Sequence, residues 1–174
     1  MDAEKFTKKS LEVIESCEKL AYEYNNQELT QAHLMYALVT VEDSLIAKLL
    51  TNMGINMDAF TGECEKLVAN RPKVSGGQLF TSPEFSKALI QAEKEAKQMG
   101  DDYISVEHIF LGLLEKADKD IKRVINAYGI TRGKFLEVLA NIRGNRKVES
   151  DNPEDTYDAL NKYGADAIRW YFYI

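Results

Sequence analysis

Between residues 29 and 39 the chain reads LTQAHLMYALV, and 75 positions later, from 104 to 114, it reads ISVEHIFLGLL. Leu29, Thr30, His33, Leu34 and Leu38 stand opposite Ile104, Ser105, His108, Ile109 and Leu113. MGINMDAF (53–60) stands against YGITRGKF (128–135) at the same interval. A chain that repeats its punctuation in this way is made of two copies of one unit, and stacking the copies is what buries their apolar faces.

The periodicity inside each copy is helical. Phe6, Ser10, Val13, Ile14, Cys17, Leu20, Ala21 and Tyr24 recur at three and four, with Lys and Glu on the opposite face. No stretch alternates convincingly at period two. The pattern predicts helices near 4–24, 31–40, 43–53 and 57–69, then near 83–99, 106–116, 118–128 and 132–143. Thr30 and Ser105 suit the N-cap position of the two histidine-bearing helices. Gly54 and Gly129 read as helix stops, with Ile55 packing back on Leu50 and Ile130 on Ile125.

The expected fold is therefore all-α: an eight-helix bundle of two four-helix repeats, related by an approximate two-fold axis with a seam between them. The double repeat would occupy 1–143, with repeat one at 1–69, a surface loop NRPKVSGGQLFTS at 70–82 and repeat two at 83–143. Residues 144–164 read as a polar linker carrying a short helix near 154–163. The last ten, 165–174, form an atypical apolar tail, ADAIRWYFYI.

Composition narrows the function. With 174 residues, 45% of them hydrophobic, the chain suits one domain with a real core. Its net charge of -6 lacks the positive field that draws proteins to phosphate backbones, so nucleic acid is not an expected partner. No run approaches the roughly 20 apolar residues of a membrane span, and the start, MDAEKFTKKS, has no apolar signal core. The two cysteines, Cys17 and Cys64, form no CxxC pair, which fits reduced thiols in the cytoplasm.

Candidate chemistry is sparse. His33 and His108 sit at the third position of their helices, and a structural role fits them better than catalysis. A zinc site would need both histidines and both cysteines to converge without ligand spacing, so no metal is expected. Cys17 lies on the apolar stripe rather than beside a base. GITRGKF (129–135) imitates a phosphate loop but has three residues between its glycines instead of four, and Phe135 where a hydroxyl is needed. Glu107, in the first turn of its helix, suits the helix dipole and could also meet a ligand. Its counterpart in the first copy is Ala32. A helical hydrolase using His108 and Glu107 is a further, weaker reading.

The doubled unit together with LTQAHLMYAL, NRPKVSGG, DDYISVEHIFLGLLE and RGNRKVESDNPEDTYDALNKYG resembles the amino-terminal domain and linker of bacterial disaggregases of the Hsp100/Clp family, over residues 1 to about 164. The resemblance implies a non-enzymatic substrate-recognition domain that binds exposed apolar segments of unfolded or aggregated polypeptides. ATP, magnesium and hexamer formation would belong to ATPase modules that follow the linker in that family. It also implies that Thr7, Asp101 and Glu107 engage substrate, beside an apolar groove between the repeats rimmed by acids. The isolated domain would be monomeric unless the tail associates, and the tail could occupy a groove as a substrate mimic. The alternative is a free-standing adaptor or regulatory protein of the same doubled fold, tight for one defined partner. Paired acids after each cap, which serve binding of phosphorylated arginine in a related branch of the family, are broken here by Ala32.

Overall fold

In the computed structural model, residues 2–151 are described. The short helix expected near 154–163 and the tail 165–174 lie outside the described residues. Eight α-helices follow in order: α1 (Lys8–Glu23), α2 (Gln31–Thr40), α3 (Leu45–Asn52), α4 (Met57–Ala69), α5 (Pro83–Gln98), α6 (Val106–Glu115), α7 (Lys119–Ala127) and α8 (Arg132–Arg143). They fall as four plus four, as the repeat requires.

The first helix begins later than its apolar stripe suggests. Thr7 caps it, its Oγ1 accepting the Ser10 N–H at 3.2 Å, while Ala3–Lys5 forms a separate 3-10 turn. Phe6 between them is held extended by a parallel bridge to Ile104, which a continuous helix could not make. The same pairing occurs once more. Strands β1 (Glu28–Leu29) and β2 (Phe80–Thr81) are parallel, with Leu29 opposite Thr81. Adding 75 to Leu29 gives Ile104, and subtracting 75 from Thr81 gives Phe6. The lead-in of each repeat thus pairs with the other repeat, reciprocally, as an approximate two-fold axis demands. Strands this short carry no period-two signal, so the pairing could not be read from sequence.

The helix stops hold as predicted. Gly54 and Gly129 take left-handed φ of 85° and 67°. Ile55 N–H then reaches back to Leu50 O at 3.1 Å and Ile130 N–H to Ile125 O at 2.9 Å, the double-bonded helix end that a following apolar residue closes. α1 and α5 end in the same motif, with Asn25 and Gly100 left-handed and Asn26 and Asp101 as the residues that reach back.

Apolar side chains from both repeats merge into one core, in which Phe60, Phe110, Phe135, Leu34, Leu49 and Ile109 are fully buried. α2 and α6 lie at its centre, touching helices of both halves. A single side chain of α2 stitches the seam: buried Gln31 donates to Glu84 O (2.9 Å) and Lys116 O (2.7 Å) and accepts from Asp118 N (2.8 Å), all in repeat two. Its counterpart in α6 is Val106, so this bond set is not doubled.

The expected linker does not start at 144. Val148 is wholly buried, and the stretch up to Asp151 lies against the domain through bonds to Asp101, Asp102 and Lys8. The reason is visible in the sequence: NRKV (145–148) repeats NRPKV (70–74) with one residue fewer, so the repeat runs past the last helix.

Candidate functional site

Each histidine is fixed by the helix start that carries it and by the helix end that precedes it. Thr30 N–H donates to His33 Nδ1 at 3.0 Å and Ser105 N–H to His108 Nδ1 at 2.9 Å, so the imidazole takes the place usually held by Glu or Gln in a capping box. A ring nitrogen that accepts a backbone N–H carries no proton of its own. The proton therefore sits on Nε2, and Nε2–H donates to Asn26 Oδ1 at 2.9 Å in repeat one and to Asp101 Oδ2 at 2.7 Å in repeat two. Asn26 and Asp101 are again 75 apart.

Ser105, His108 and Asp101 superficially match a hydrolytic triad, since Ser105 Oγ lies 3.0 Å from Nδ1. The geometry argues against it. Nδ1 already accepts the Ser105 N–H, so it has no lone pair free to take a proton from the hydroxyl. The three side chains lie beneath the surface, and repeat one builds the same frame with Asn26, which cannot stabilise an imidazolium. His33 and His108 each close a capping box at the start of their helix.

Burial, reinforced by the charge of Arg71, lowers His33 to about 4 from the ordinary 6.5. Between those values the unfolded chain binds the extra proton, so stability rises with pH across that window and is lost as pH falls through it. The loss from pH 7 to pH 4.5 attributable to His33 is expected to be on the order of 2–3 kcal/mol. His33→Gln restores a common capping-box residue and removes the titration. Urea unfolding should show its stability flatter than wild type between pH 7 and 4.5, and an unchanged slope would mean that His33 is not held neutral.

Repeat two adds charge where repeat one is apolar. Ala32 and Val68 of repeat one, both buried, become Glu107 and Arg143, also buried. Arg143 donates to Asp101 Oδ1 in a very short bond and lies 3.8 Å from Glu107 Oε2, while Glu107 Oε1 takes the Ser105 hydroxyl. Glu107 Oε2 has no hydrogen-bond partner. Burial would raise the Asp101 carboxyl, but bonds from His108, Arg143 and the Val148 N–H outweigh it and hold it below the usual carboxylate range.

Thr7, Asp101 and Glu107 are thus gathered at one corner, but on its inside. Thr7 caps α1, its N–H bonded to Ile104 O at 3.0 Å, and its side chain is fully buried. The carboxylates of Asp101 and Glu107 have no exposed area. As the domain stands, the side chains of all three are turned inward, away from the surface a polypeptide would meet. Their burial was not legible, because each is a polar residue beside a helix start or a turn, where solvent exposure is the ordinary case.

The seam also differs from the expected greasy crevice. Its apolar residues belong to the shared core, and the cleft that crosses it, of about 270 Å³, is lined by Glu28, Thr30, Arg71, Ser82, Glu84, Asp118, Lys119 and Asp120. Among the described residues the exposed large apolar side chains are Leu11 on α1, Ile90 on α5, Phe80, Val74 and Tyr22.

No nucleotide cradle is present at GITRGKF. Gly129 closes α7, Thr131 caps α8 through the Lys134 N–H, and Phe135 is buried against Phe110 with ring centroids 4.5 Å apart. Among the described residues no group of three or more His, Cys, Asp or Glu side chains could hold a metal ion. Cys17 and Cys64 are both buried, and burial raises both thiols, Cys64 to about 12, which suits core residues rather than nucleophiles. No helix among the described residues is long and apolar enough to cross a membrane.

Comparison with known proteins agrees with this architecture. The chaperone ClpB of Nitratidesulfovibrio vulgaris is 41% identical over 97% of this chain, and that of Clostridium tetani is 40% identical over the same share. The chain spans about 20% of the length of either. The Hsp104 N-terminal domain of Candida albicans superposes with a TM-score of 0.76 at 20% identity, covering 86% of this chain and 99% of that one, a likeness of fold. The profile of the Clp repeat (R) N-terminal domain matches residues 5–128, which takes in the lead-in bridge, both histidine boxes and the helix stop at Gly54. The chain belongs to the Clp repeat family, as a double-repeat N-terminal domain akin to that of ClpB.

Proposed function

We propose that this domain receives exposed apolar segments of unfolded or aggregated polypeptides on behalf of an ATP-driven disaggregase, and hydrolyses nothing itself. The observation that carries the reading is the likeness to ClpB along 97% of the chain. The surface suits the task. Leu11, Phe80 and Ile90, which are 38%, 51% and 49% exposed, offer apolar contacts from three different elements, α1, β2 and α5. Such contacts are individually weak and tolerant of sequence. In this reading Thr7, Asp101 and Glu107 act from beneath, by fixing α1 and α6. Nucleotide, magnesium and hexamer contacts would lie in modules outside this domain.

Fluorescence anisotropy with a labelled, permanently unfolded polypeptide tests the proposal. Binding at about micromolar Kd or weaker is expected. Leu11→Ser with Ile90→Ser should weaken it severalfold while leaving the melting temperature nearly unchanged. Tight binding to one folded protein, with none to unfolded chains, would instead support an adaptor.

A further inference from the structure

The stretch after α8 is attached in an unusual way. Of residues 144–151, only Val148 is wholly buried, Arg146 is half-buried and the others are exposed. The attachments are specific nevertheless. Val148 N–H donates to Asp101 Oδ1 at 3.0 Å, and Val148 O accepts the Asp102 N–H at 2.9 Å. Further along, Asp151 O accepts the Lys8 N–H at 2.7 Å, one of the first-turn donors of α1 that have no partner within the helix.

Repeat one shows what has changed. There Asn26 Nδ2 donates to Pro72 O at 3.2 Å, and Val74, whose N–H is bonded to Asn25 O at 2.8 Å, stays 41% exposed in a chain that continues through β2 into α5. In repeat two the proline is missing, an N–H faces the pocket instead of a carbonyl, and the residue that receives it is a carboxylate. The counterpart residues Asn26 and Asp101 have thus exchanged roles, one donating to the following stretch and the other accepting from it. Opening the stretch would leave the histidine box closed, since Asp101 keeps His108 and Arg143; water can take the Lys8 N–H, and Arg143 Nε gives up its bond to Arg146 O (2.9 Å).

We infer that residues 144–151 are a releasable strap, latched by Asp101 and seated on the start of α1, whose opening lengthens the tether leaving the domain without unfolding it. Eight residues drawn out add up to about 25 Å of reach. The strap stands on the hydrogen bonds just given, while its use as a variable tether for a polypeptide-receiving domain rests on the proposed function.

Hydrogen exchange of the full chain at neutral pH tests it. The Lys8, Asp102 and Val148 amides are expected to exchange at least about tenfold more slowly than in an unstructured chain, yet at least about a hundredfold faster than amides of α2 and α6. In Asp101→Asn the side-chain oxygen is engaged by His108, as Asn26 is by His33, and its NH₂ then meets the Val148 N–H. Protection at Val148 should fall about tenfold or more beyond whatever change α2 and α6 share from the loss of the Arg143 partner. Val148→Ser, which leaves Asp101 in place, should do the same if Asp101→Asn does not fold. Wild-type strap amides exchanging without protection, or only together with α2 and α6, would overturn the strap. No polypeptide is present in this measurement, so a failure to bind unfolded chains would count against the proposed function alone.

Discussion

Gly112→Ala should destabilise the domain by about 2–3 kcal/mol, and Gly112→Val by more than about 4 kcal/mol, enough to remove most folded protein. A Cβ at Gly112 would stand 2.3 Å from Ala88 O and 3.0 Å from Ala92 N, both backbone atoms of α5. Backbone cannot swing aside as a long side chain can, so α5 and α6 would have to separate along the core they share. The gain in helix propensity on leaving glycine, about 1 kcal/mol, offsets only part of that cost. Repeat one carries Ala37 at the equivalent position, fully buried and accommodated, so the approach of α6 to α5 is a property of the second repeat. Gly62 is the control. It too is helical, an added Cβ there meets nothing within 4 Å, and Gly62→Ala should stabilise by about 0.5–1 kcal/mol. Urea unfolding of both variants decides the matter, since equal stability of Gly112→Ala and wild type would mean the helices are not in contact at this point.

Much of this was legible because the repeat carries its caps and stops with it. Thr30 and Ser105, Gly54 and Gly129 are local devices, and local devices leave local signals. The partner of each histidine was within reach of the same reasoning, since Asn26 and Asp101 keep the offset and follow Asn25 and Gly100, two residue types suited to a left-handed helix end. What hid them was that Asn and Asp before a helix ordinarily read as turn residues facing water. Arg143 was hidden for another reason: a cation in the last turn of a helix reads as a solvated partner of the dipole. Only the three-dimensional corner shows that it neutralises two carboxylates. The docking of 144–151 was masked by a missing residue, since the loss of a proline equivalent shifts the interval from 75 to 74 between Val74 and Val148. The cross-seam bridges depend on residues far apart in sequence and no longer than two at a time, so nothing in a sliding pattern could announce them.

The charged corner makes the other large prediction, and its sign depends on how many residues are changed. Arg143→Val leaves Asp101 and Glu107 buried beside each other without their shared cation, and a loss of about 3–5 kcal/mol is expected. Changing all three to their repeat-one counterparts, Asp101→Asn, Glu107→Ala and Arg143→Val, removes the charges together. His108 Nε2–H would then meet an amide oxygen as His33 does, and the corner would be packed as Asn26, Ala32 and Val68 are packed. Replacing a buried ion cluster by apolar neighbours of similar size is often neutral or stabilising, so the triple variant should lie within about 1–2 kcal/mol of wild type, far above the single one. Denaturant unfolding of the two variants side by side reads this difference directly. A triple variant as unstable as Arg143→Val would mean that the ion cluster itself stabilises the fold. If the triple variant folds well, the charges of repeat two are not needed to close the bundle, and holding the Val148 N–H at its surface is the task that Asp101 performs and its uncharged counterpart does not.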